Sequence, residues 1–540
     1  MYKCPEMTAK THIFLVIACC TFFSATSCLS QNFQRCYGTS TNEIGTCIQN
    51  TPDGNYIISA RNENATNGNG DFGLLKINSS GSILWSKSYG GTNTEKNSYV
   101  SVCSDGGFIL TGYTVKPGSG NFMDLLLLKA DSDGNLSWSA SIGSSKDDQG
   151  WYVTEANDGG FLAVGSSKSF NAPGNWDGYI VKVNSAGTLQ WTKVMGGTGS
   201  DYFLGMSKTN DGGYIISGET LSNTFGSSDM WLVKINSDGD TLWTRQFGKI
   251  TEDGANTVVQ TADGGYIIAG DIHTSPGAGD HNAALLKTDS GGNLQWAKTY
   301  GSSPGGEIGW AVRQTQDKGY FLMGSSNFYG NGGGGDFMLV KTSSDGNLQW
   351  AKAYGGSLFD DVWYFHQSVQ NGNMMVGSTQ SFGAGQQDIY LVSMDSVGIS
   401  ECYTTSILPL VNTPVLQTRS GTNVITGGIG NTVSILSSVP QTLSYDPCAF
   451  VGVEENKESN SDVLVYPNPF SEMTSIHYLK TIGQNFNFRL FNVFGQEAHP
   501  VILRTSEGLI IYREGLSGGA YFYILESSGE MHATGKIMIQ

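Results

Sequence analysis

Two columns of acidic residues recur along this chain at fixed spacing. Glu43, Glu95, Asp148, Asp201, Asp253, Glu307 and Asp361 each lie ten residues before the start of a recurring turn, with Asp360 an alternative for the last because that unit is one residue short. Asp71, Asp124, Asp177, Asp229, Asn282, Asp336 and Asp388 form the second column, each five residues before Lys76, Lys129, Lys182, Lys234, Lys287, Lys341 or Ser393. A ring of carboxylates at a channel mouth could bind a cation, and calcium is the natural hard partner for oxygen ligands. The same carboxylates could instead accept backbone N–H bonds at turns and tie units together. Recurrence in every unit favours bracing. Acid–base catalysis needs groups whose environments differ, which a ring of equivalents does not provide. His273, His281 and His366 are the histidines of the array, and the two that share a loop lack a third ligand nearby. No His-Glu-x-x-His or phosphate-loop pattern occurs. These residues therefore predict neither a catalytic site nor a resident cofactor, with calcium at the acidic ring as the exception.

The elements that would hold these columns follow from the repeat. A phrase starting Asp-Gly-Gly, continuing through an apolar run that ends in Gly and closing on Gly-x3-Trp begins at Asp53, Asp105, Asp158, Asp211, Asp263, Asp317 and Asn371. Its tryptophans are Trp85, Trp138, Trp191, Trp243, Trp296 and Trp350. A period of 52 to 54 residues means one supersecondary unit repeated. Each unit holds four strand-length segments rich in aromatic and β-branched residues, separated by Gly, Asn, Asp and Ser. For the fourth unit these read as Ala255–Gln260, Tyr214–Gly218, Met230–Ile235 and Thr241–Phe247. Seven such units predict an all-β chain with a seven-bladed β-propeller. Both acidic columns fall at strand starts on one rim, where the variable loops such as Arg61–Gly70 and Ile272–His281 also open. Variable loops on a fixed scaffold are the favoured place for ligand contact. The tryptophans read as packing between neighbouring blades.

The ends suggest how the array closes. Phe33 to Gly38 matches the fourth-strand phrase Trp85 to Gly90, so the chain begins with an outer strand. The last unit, Asn371 to Met394, lacks a tryptophan strand, and the N-terminal strand would complete it and remove an exposed edge. Before it, Lys3 and Lys10 precede an apolar stretch from Ile13 to Phe23, a secretory signal over residues 1–30 with cleavage before Gln31. A lipoprotein alternative would use Cys28. Of nine cysteines, Cys36, Cys47, Cys103, Cys402 and Cys448 remain after cleavage, and an oxidising compartment permits disulfides. Cys36–Cys402 could lock the array, and Cys402–Cys448 is an equal alternative. The net charge of −17 on 540 residues argues against duplex nucleic acid as partner. No segment of the mature chain reads as a membrane helix.

The repeat spans residues 31–402. An extended, Thr- and Ser-rich segment follows over 403–450, then a polar linker over 451–462 and a strand-rich module over 463–540 that reads as a small β-sandwich. In that module Tyr466-Pro467-Asn468-Pro469-Phe470, Leu490 to Gln496 with Gly495, Leu516 to Tyr521 with Gly519 and Tyr521, and Gly535-Lys536-Ile537 occur in order at the C-terminus. They resemble the type A sorting domain of Bacteroidetes type IX secretion. That resemblance implies Sec export, handling by the type IX machinery, passage across the outer membrane of a Gram-negative bacterium, and removal of the domain near the linker. Release or surface attachment would follow. The Gly134 to Trp138 strand also resembles the tryptophan-docking motif of quinoprotein dehydrogenases, although the only adjacent cysteine pair, Cys19-Cys20, lies in the signal. The function read from these features is a secreted, non-catalytic binding or scaffold module for an extracellular glycan or protein. A secreted propeller enzyme, quinoprotein-like or glycan-acting, is the alternative.

Overall fold

The computed structural model describes residues 32–445 and 463–539, apart from short stretches inside both ranges. The expected signal (1–30) and linker (451–462) lie outside the described residues. Those residues contain strands and no helix, and every sheet is antiparallel. They divide into one unit reaching Tyr445 and a second from Asp446.

Seven sheets make up the first unit. In the first sheet the strands Asn42–Asn50, Tyr56–Glu63, Asp71–Ile77 and Ile83–Gly90 pair in chain order. The next five sheets open with Thr94–Val102, Asp148–Glu155, Asp201–Lys208, Asp253–Gln260 and Glu307–Gln314. This corrects the strand assignment of the fourth unit: Ala255–Gln260 belongs to the fifth sheet, and Asp201–Lys208 opens the fourth. The seventh sheet has Asp360–Ser368, Gly372–Thr379 and Asp388–Met394, and its fourth strand is Phe33–Gly38 from the other end of the chain.

The repeated phrase has a physical reason at each position. In six sheets the Asp of the turn meets the Lys of the third strand, as in Lys234 Nζ to Asp211 at 2.9 Å, and each ammonium is almost wholly buried. Lys234 Nζ also donates to the Ile235 carbonyl, which satisfies a charge that burial would otherwise penalise. The second Gly of the turn makes room: a Cβ on Gly213 would lie 2.7 Å from Lys234 Nζ. The tryptophan of each fourth strand covers the hairpin glycine of the next sheet. Trp85 lies against Gly134, which holds φ at 75°, and Tyr89 donates to the Gly134 carbonyl at 2.6 Å. The same joint recurs between the seventh sheet and the first. There Phe33 lies against Gly81, and Tyr37 donates to the Gly81 carbonyl at 2.7 Å.

The extended segment after the repeat is not a separate region. It lays three or four residues along the outer strand of every sheet in turn. Thr404–Ile407 pairs with the sixth sheet, Leu410–Asn412 with the fifth, Gln417–Arg419 with the fourth and Asn423–Ile425 with the third. Ile429–Thr432 pairs with the second, Leu436–Ser438 with the first and Leu443–Tyr445 with Phe33–Gly38 of the seventh. Each sheet therefore has five strands, where four were expected from the repeat.

The Cys36–Cys402 bridge does not form. Cys36, Cys47 and Cys103 are buried thiols, and Cys402 is in a disulfide whose partner lies outside the described residues, as Cys448 does. Cys36 packs among Phe337, Tyr354 and Tyr390 in the core between the sixth and seventh sheets. Gln34 is the residue beside Cys402, with its side-chain amide donating to the Cys402 carbonyl.

The second unit has two four-stranded antiparallel sheets around one core that includes Ile476, Leu490, Leu509, Tyr523 and Ile537. The strands Asn487–Asn492, Gly519–Ser527 and Glu530–Ile539 form the larger part of one sheet.

Candidate functional site

The opening strand of each sheet carries a β-bulge, where two residues oppose one and the extra side chain is re-aimed. The bulged residues are Thr46, Ser98, Trp151, Leu204, Asn256, Trp310 and Trp363. All seven line one pocket of about 390 Å³, together with Arg61, Tyr99, Tyr152, Thr257 and Tyr364. The bulge is accommodated by the glycine that ends the apolar run. A Cβ on Gly324 would lie 1.9 Å from the Ile308 carbonyl oxygen, and Gly165, Gly218 and Gly270 are equally tight. The first sheet keeps its bulge with Ala60 in that place.

The pocket has a fixed aromatic wall. Trp310 and Trp363 stack with centroids 5.4 Å apart, and the Arg61 guanidinium lies 5.2 Å from the Trp363 centroid. Trp310 Nε1 donates to Ser325, while the shielded indole N–H of Trp151 meets no acceptor among the described residues. Three tyrosines, Tyr99, Tyr152 and Tyr364, line the pocket with their hydroxyls in contact. The Tyr99 hydroxyl lies 2.9 Å from those of Tyr152 and Tyr364, Gln49 donates to it, and Arg313 donates to Tyr364. Cys47 sits beneath this cluster, and burial pushes its thiol up to about 12.

None of these tryptophans belongs to the Gly-x3-Trp column. Each lies three residues after the acid of the first column, counting the seventh unit from Asp360. At this position the units carry Thr, Ser, Trp, Leu, Asn, Trp and Trp in turn, a difference visible in the sequence once the units are aligned.

The seven acids do not line the pocket. Glu43, Glu95, Asp148, Asp201, Asp253 and Glu307 are buried, and each accepts a backbone N–H from the turn before it. The seventh member is Asp360 rather than Asp361: it accepts from Gly356 N, Thr379 and Ser381, as Asp201 accepts from Gly197 N, Thr220 and Ser222. Asp361 falls one residue later, opposite Ser378. The second column converges on the same places. A Cβ on Gly143 would meet both Asp124 and Asp148, and one on Gly196 both Asp177 and Asp201. Among the described residues no three His, Cys, Asp or Glu side chains are spaced to hold a metal ion. The His273 and His281 rings stack at 5.0 Å, and His273 Nε2 lies 3.7 Å from Asp271 and 4.0 Å from Glu252. The side chain of His366 lies outside the described residues.

Burial makes the Asp148 and Asp253 carboxyls sensitive to pH. It is the largest influence on Asp148 and Asp253, pushing both up to about 6 against the bonds they accept. It raises Asp361 to about 6, and Asp271 to about 7 with Glu219, Asp253 and Glu252 adding repulsion. A folded-state value above the unfolded one confers stability that is complete below about pH 4 and lost as pH rises through about 6 to 7. The turn aspartates run the other way. Burial pushes Asp211 up, but bonds from Thr209 and Lys234 outweigh it and hold the carboxyl down to about 2. That contribution is lost only as pH falls towards about 2, and it is small because the carboxyl is half exposed. Scanning calorimetry is therefore expected to give a higher melting temperature at pH 5 than at pH 8. Equal values would contradict this account of the buried acids.

In the second unit, Tyr466 pairs with Ser475 through the backbone, and Gly519 opens the last hairpin opposite Ile539. Tyr521 is buried between Asn492 and Ile537, and Lys536 lies opposite Phe522. Pro467, Asn468, Pro469, Phe470 and Gly495 lie outside the described residues. Residues 464–540 match the family of secretion system C-terminal sorting domains. The chain thus carries a type IX sorting tail, which directs it to secretion or the cell surface of a Bacteroidetes-type Gram-negative bacterium. No helix among the described residues is long and apolar enough to cross a membrane.

The regulatory protein FlaEY of Caulobacter vibrioides is 27% identical over 195 residues, which are 32% of this chain and 20% of that protein. The match thus reaches about a fifth of that relative's length. Among solved structures, a protein of unknown function from Dyadobacter fermentans DSM 18053 aligns with a TM-score of 0.38 and 11% identity, covering 67% of this chain and 99% of that one. Sqt1 from Chaetomium thermophilum aligns at 0.35 and 10%, covering 68% and 98%.

Proposed function

We propose that the first unit is a closed seven-bladed propeller, completed by its N-terminal strand, and that it acts after type IX export as a non-catalytic binding module. Closure is supported by the recurrence of the tryptophan–tyrosine joint as Phe33 and Tyr37 on Gly81. The binding role rests on one observation. A single pocket receives one bulged side chain from each of the seven sheets, and three of the seven are tryptophan. Aromatic walls with a few placed polar groups are the usual make-up of a ligand site. The extracellular ligand enters there, with the variable rim loops as further contacts. Calcium has no part in this reading.

The test is an array of glycans and extracellular proteins probed with the mature chain, wild type and Trp310→Ala/Trp363→Ala. Ligands held by the wild type are expected to be lost from the double variant, and to bind equally with calcium or with chelator. Ligands that bind both proteins alike would refute the pocket as the site.

A catalytic reading has one arrangement in its favour. His273 Nε2 lies 3.7 Å from Asp271 and 4.0 Å from Glu252, and burial, with repulsion from Glu219, Asp253 and Glu252, raises Asp271 to about 7. Turnover of an array-identified glycan, abolished by Asp271→Asn, would favour an enzyme over a binding module.

A further inference from the structure

The charge of the pocket narrows its ligand class, an inference that rests on the pocket being the binding site. Arg61 is the one charged residue lining it. Trp363 is covered by Trp310 on one face and by the Arg61 guanidinium on the other. It therefore serves as a platform that orients Arg61, and the ligand meets the guanidinium instead. A guanidinium stacked on a ring keeps its N–H groups at the edge of its own plane, and that edge matches a carboxylate. Of the acids close in sequence, Glu63 lies two residues along the same strand and pairs with Lys96 at 3.3 Å. Asp361, two residues before Trp363, is not among the residues that line the pocket.

The tyrosine hydroxyls supply a second, independent observation, because the directions of their hydrogen bonds are forced. Arg313 donates to the Tyr364 oxygen, and the Gln49 amide donates to Tyr364 at 3.3 Å and to Tyr99 at 2.9 Å. A hydroxyl oxygen has two lone pairs and one proton. Tyr364 has both lone pairs taken, so it donates to Tyr99 at 2.9 Å. Tyr99 is then filled in turn and donates to Tyr152 at 2.9 Å. Tyr152 accepts that bond, and its own proton meets no acceptor among the described residues. Tyr152 lines the pocket, so a chain that starts at a cation ends on an O–H offered to the cavity. Arg313 bonds the Val312 carbonyl and Tyr364 and pairs with no carboxylate among the described residues. Both polar ends are thus donors backed by positive charge, while Trp151, Leu204 and Trp310 make the wall between them apolar. We propose that the pocket binds an organic carboxylate with an apolar body. The carboxylate takes the edge of Arg61, the body lies against the apolar wall, and Tyr152 is a further donor. A volume of about 390 Å³ suits one such group, carried by a free small acid or by the C-terminal residue of a peptide.

The experiment titrates the mature chain near neutral pH, following tryptophan fluorescence and calorimetry. The probes are 3-phenylpropanoate as a free acid and acetyl-Gly-Gly-Phe as a peptide end, each beside its own carboxamide as the neutral isostere. Phenethylamine is the cation, and glucuronate is an anion without an apolar body. At least one of the two acids is expected to bind, at least about tenfold more tightly than its amide, and the one that binds identifies the source. In Arg61→Met, which keeps an apolar stem, that acid and its amide should bind alike. Tyr152→Phe should weaken the acid about fivefold. Unchanged melting temperatures establish that the variants are folded, and the ratio of acid to amide in the wild type decides the matter without them. Equal binding of acid and amide to the wild type, or silence of both acids, overturns the carboxylate assignment. Phenethylamine binding that is lost in Trp310→Ala/Trp363→Ala also overturns it and leaves the pocket as the site. A preference for the acid that survives Arg61→Met overturns Arg61 as the anchor, and one that also survives the tryptophan double variant overturns the pocket itself. Glucuronate binding as tight as that of the acids overturns the apolar body.

Discussion

Replacing residues 404–445 by a flexible linker of the same length is expected to lower the melting temperature of the first unit by on the order of 10 °C, with loss of soluble monomer. Few of its side chains contribute: Ile407 is buried and Leu416 packs on a core, but Leu408 is 84% exposed and Val415 88% exposed. Its main contribution is backbone pairing along the outer edge of all seven sheets. Each net hydrogen bond is worth about 1 kcal/mol, part of which is offset by ordering the segment. Removing it also leaves seven rows of open N–H and C=O groups, the template on which strands of other molecules add. Calorimetry and size-exclusion chromatography of the full chain and the replaced chain would check this. A monomer of unchanged stability would show that the pairing is incidental.

Gly324→Val is expected to cost about 3 kcal/mol and to disturb the pocket at the same time. The added side chain would meet the backbone carbonyl of Ile308, which cannot rotate away as a side chain could. Relief requires the strand Glu307–Gln314 to shift, and that strand carries the Trp310 bulge. Ala60 in the first sheet shows that a related backbone tolerates a methyl group, so Gly324→Ala should cost less than Gly324→Val. Thermal unfolding ranks the two variants, and the tryptophan fluorescence of the folded valine variant reports the pocket. A valine variant as stable as the wild type would mean that the two strands are less closely held than the structure shows.

The parts of this fold legible in the sequence are those every unit repeats. The Asp–Lys pair, the hairpin glycine and the covering tryptophan appear as columns because each joint needs them. The N-terminal strand could be placed because Phe33 and Tyr37 keep the spacing of Trp85 and Tyr89. The outer fifth strands left no such trace. Backbone pairing imposes no side-chain pattern, so residues 403–450 read only as extended. The pocket was hidden for the opposite reason. A bulge breaks the two-residue alternation of a strand, and Trp151, Trp310 and Trp363 occupy the position where units differ. The same irregularity of the last unit left Asp361 and Asp360 as alternatives, between which the bonds from Gly356, Thr379 and Ser381 select Asp360. Cys36 could not be assigned to a thiol from spacing alone, because its burial among Phe337 and Tyr390 depends on how the sixth and seventh sheets pack.

The outer segment also fixes the copy number of the array. Tandem repeats gain and lose copies readily through unequal recombination between near-identical stretches of gene. Here the run from Thr404 to Tyr445 holds one short strand for each sheet, so it works as a tally with seven marks. A gene that dropped one copy would leave a strand with nothing to bind, and one that gained a copy would leave a sheet uncounted. Lineages carrying this chain should therefore vary in their loops and pocket residues while the number of units and the length of the tally change together or not at all.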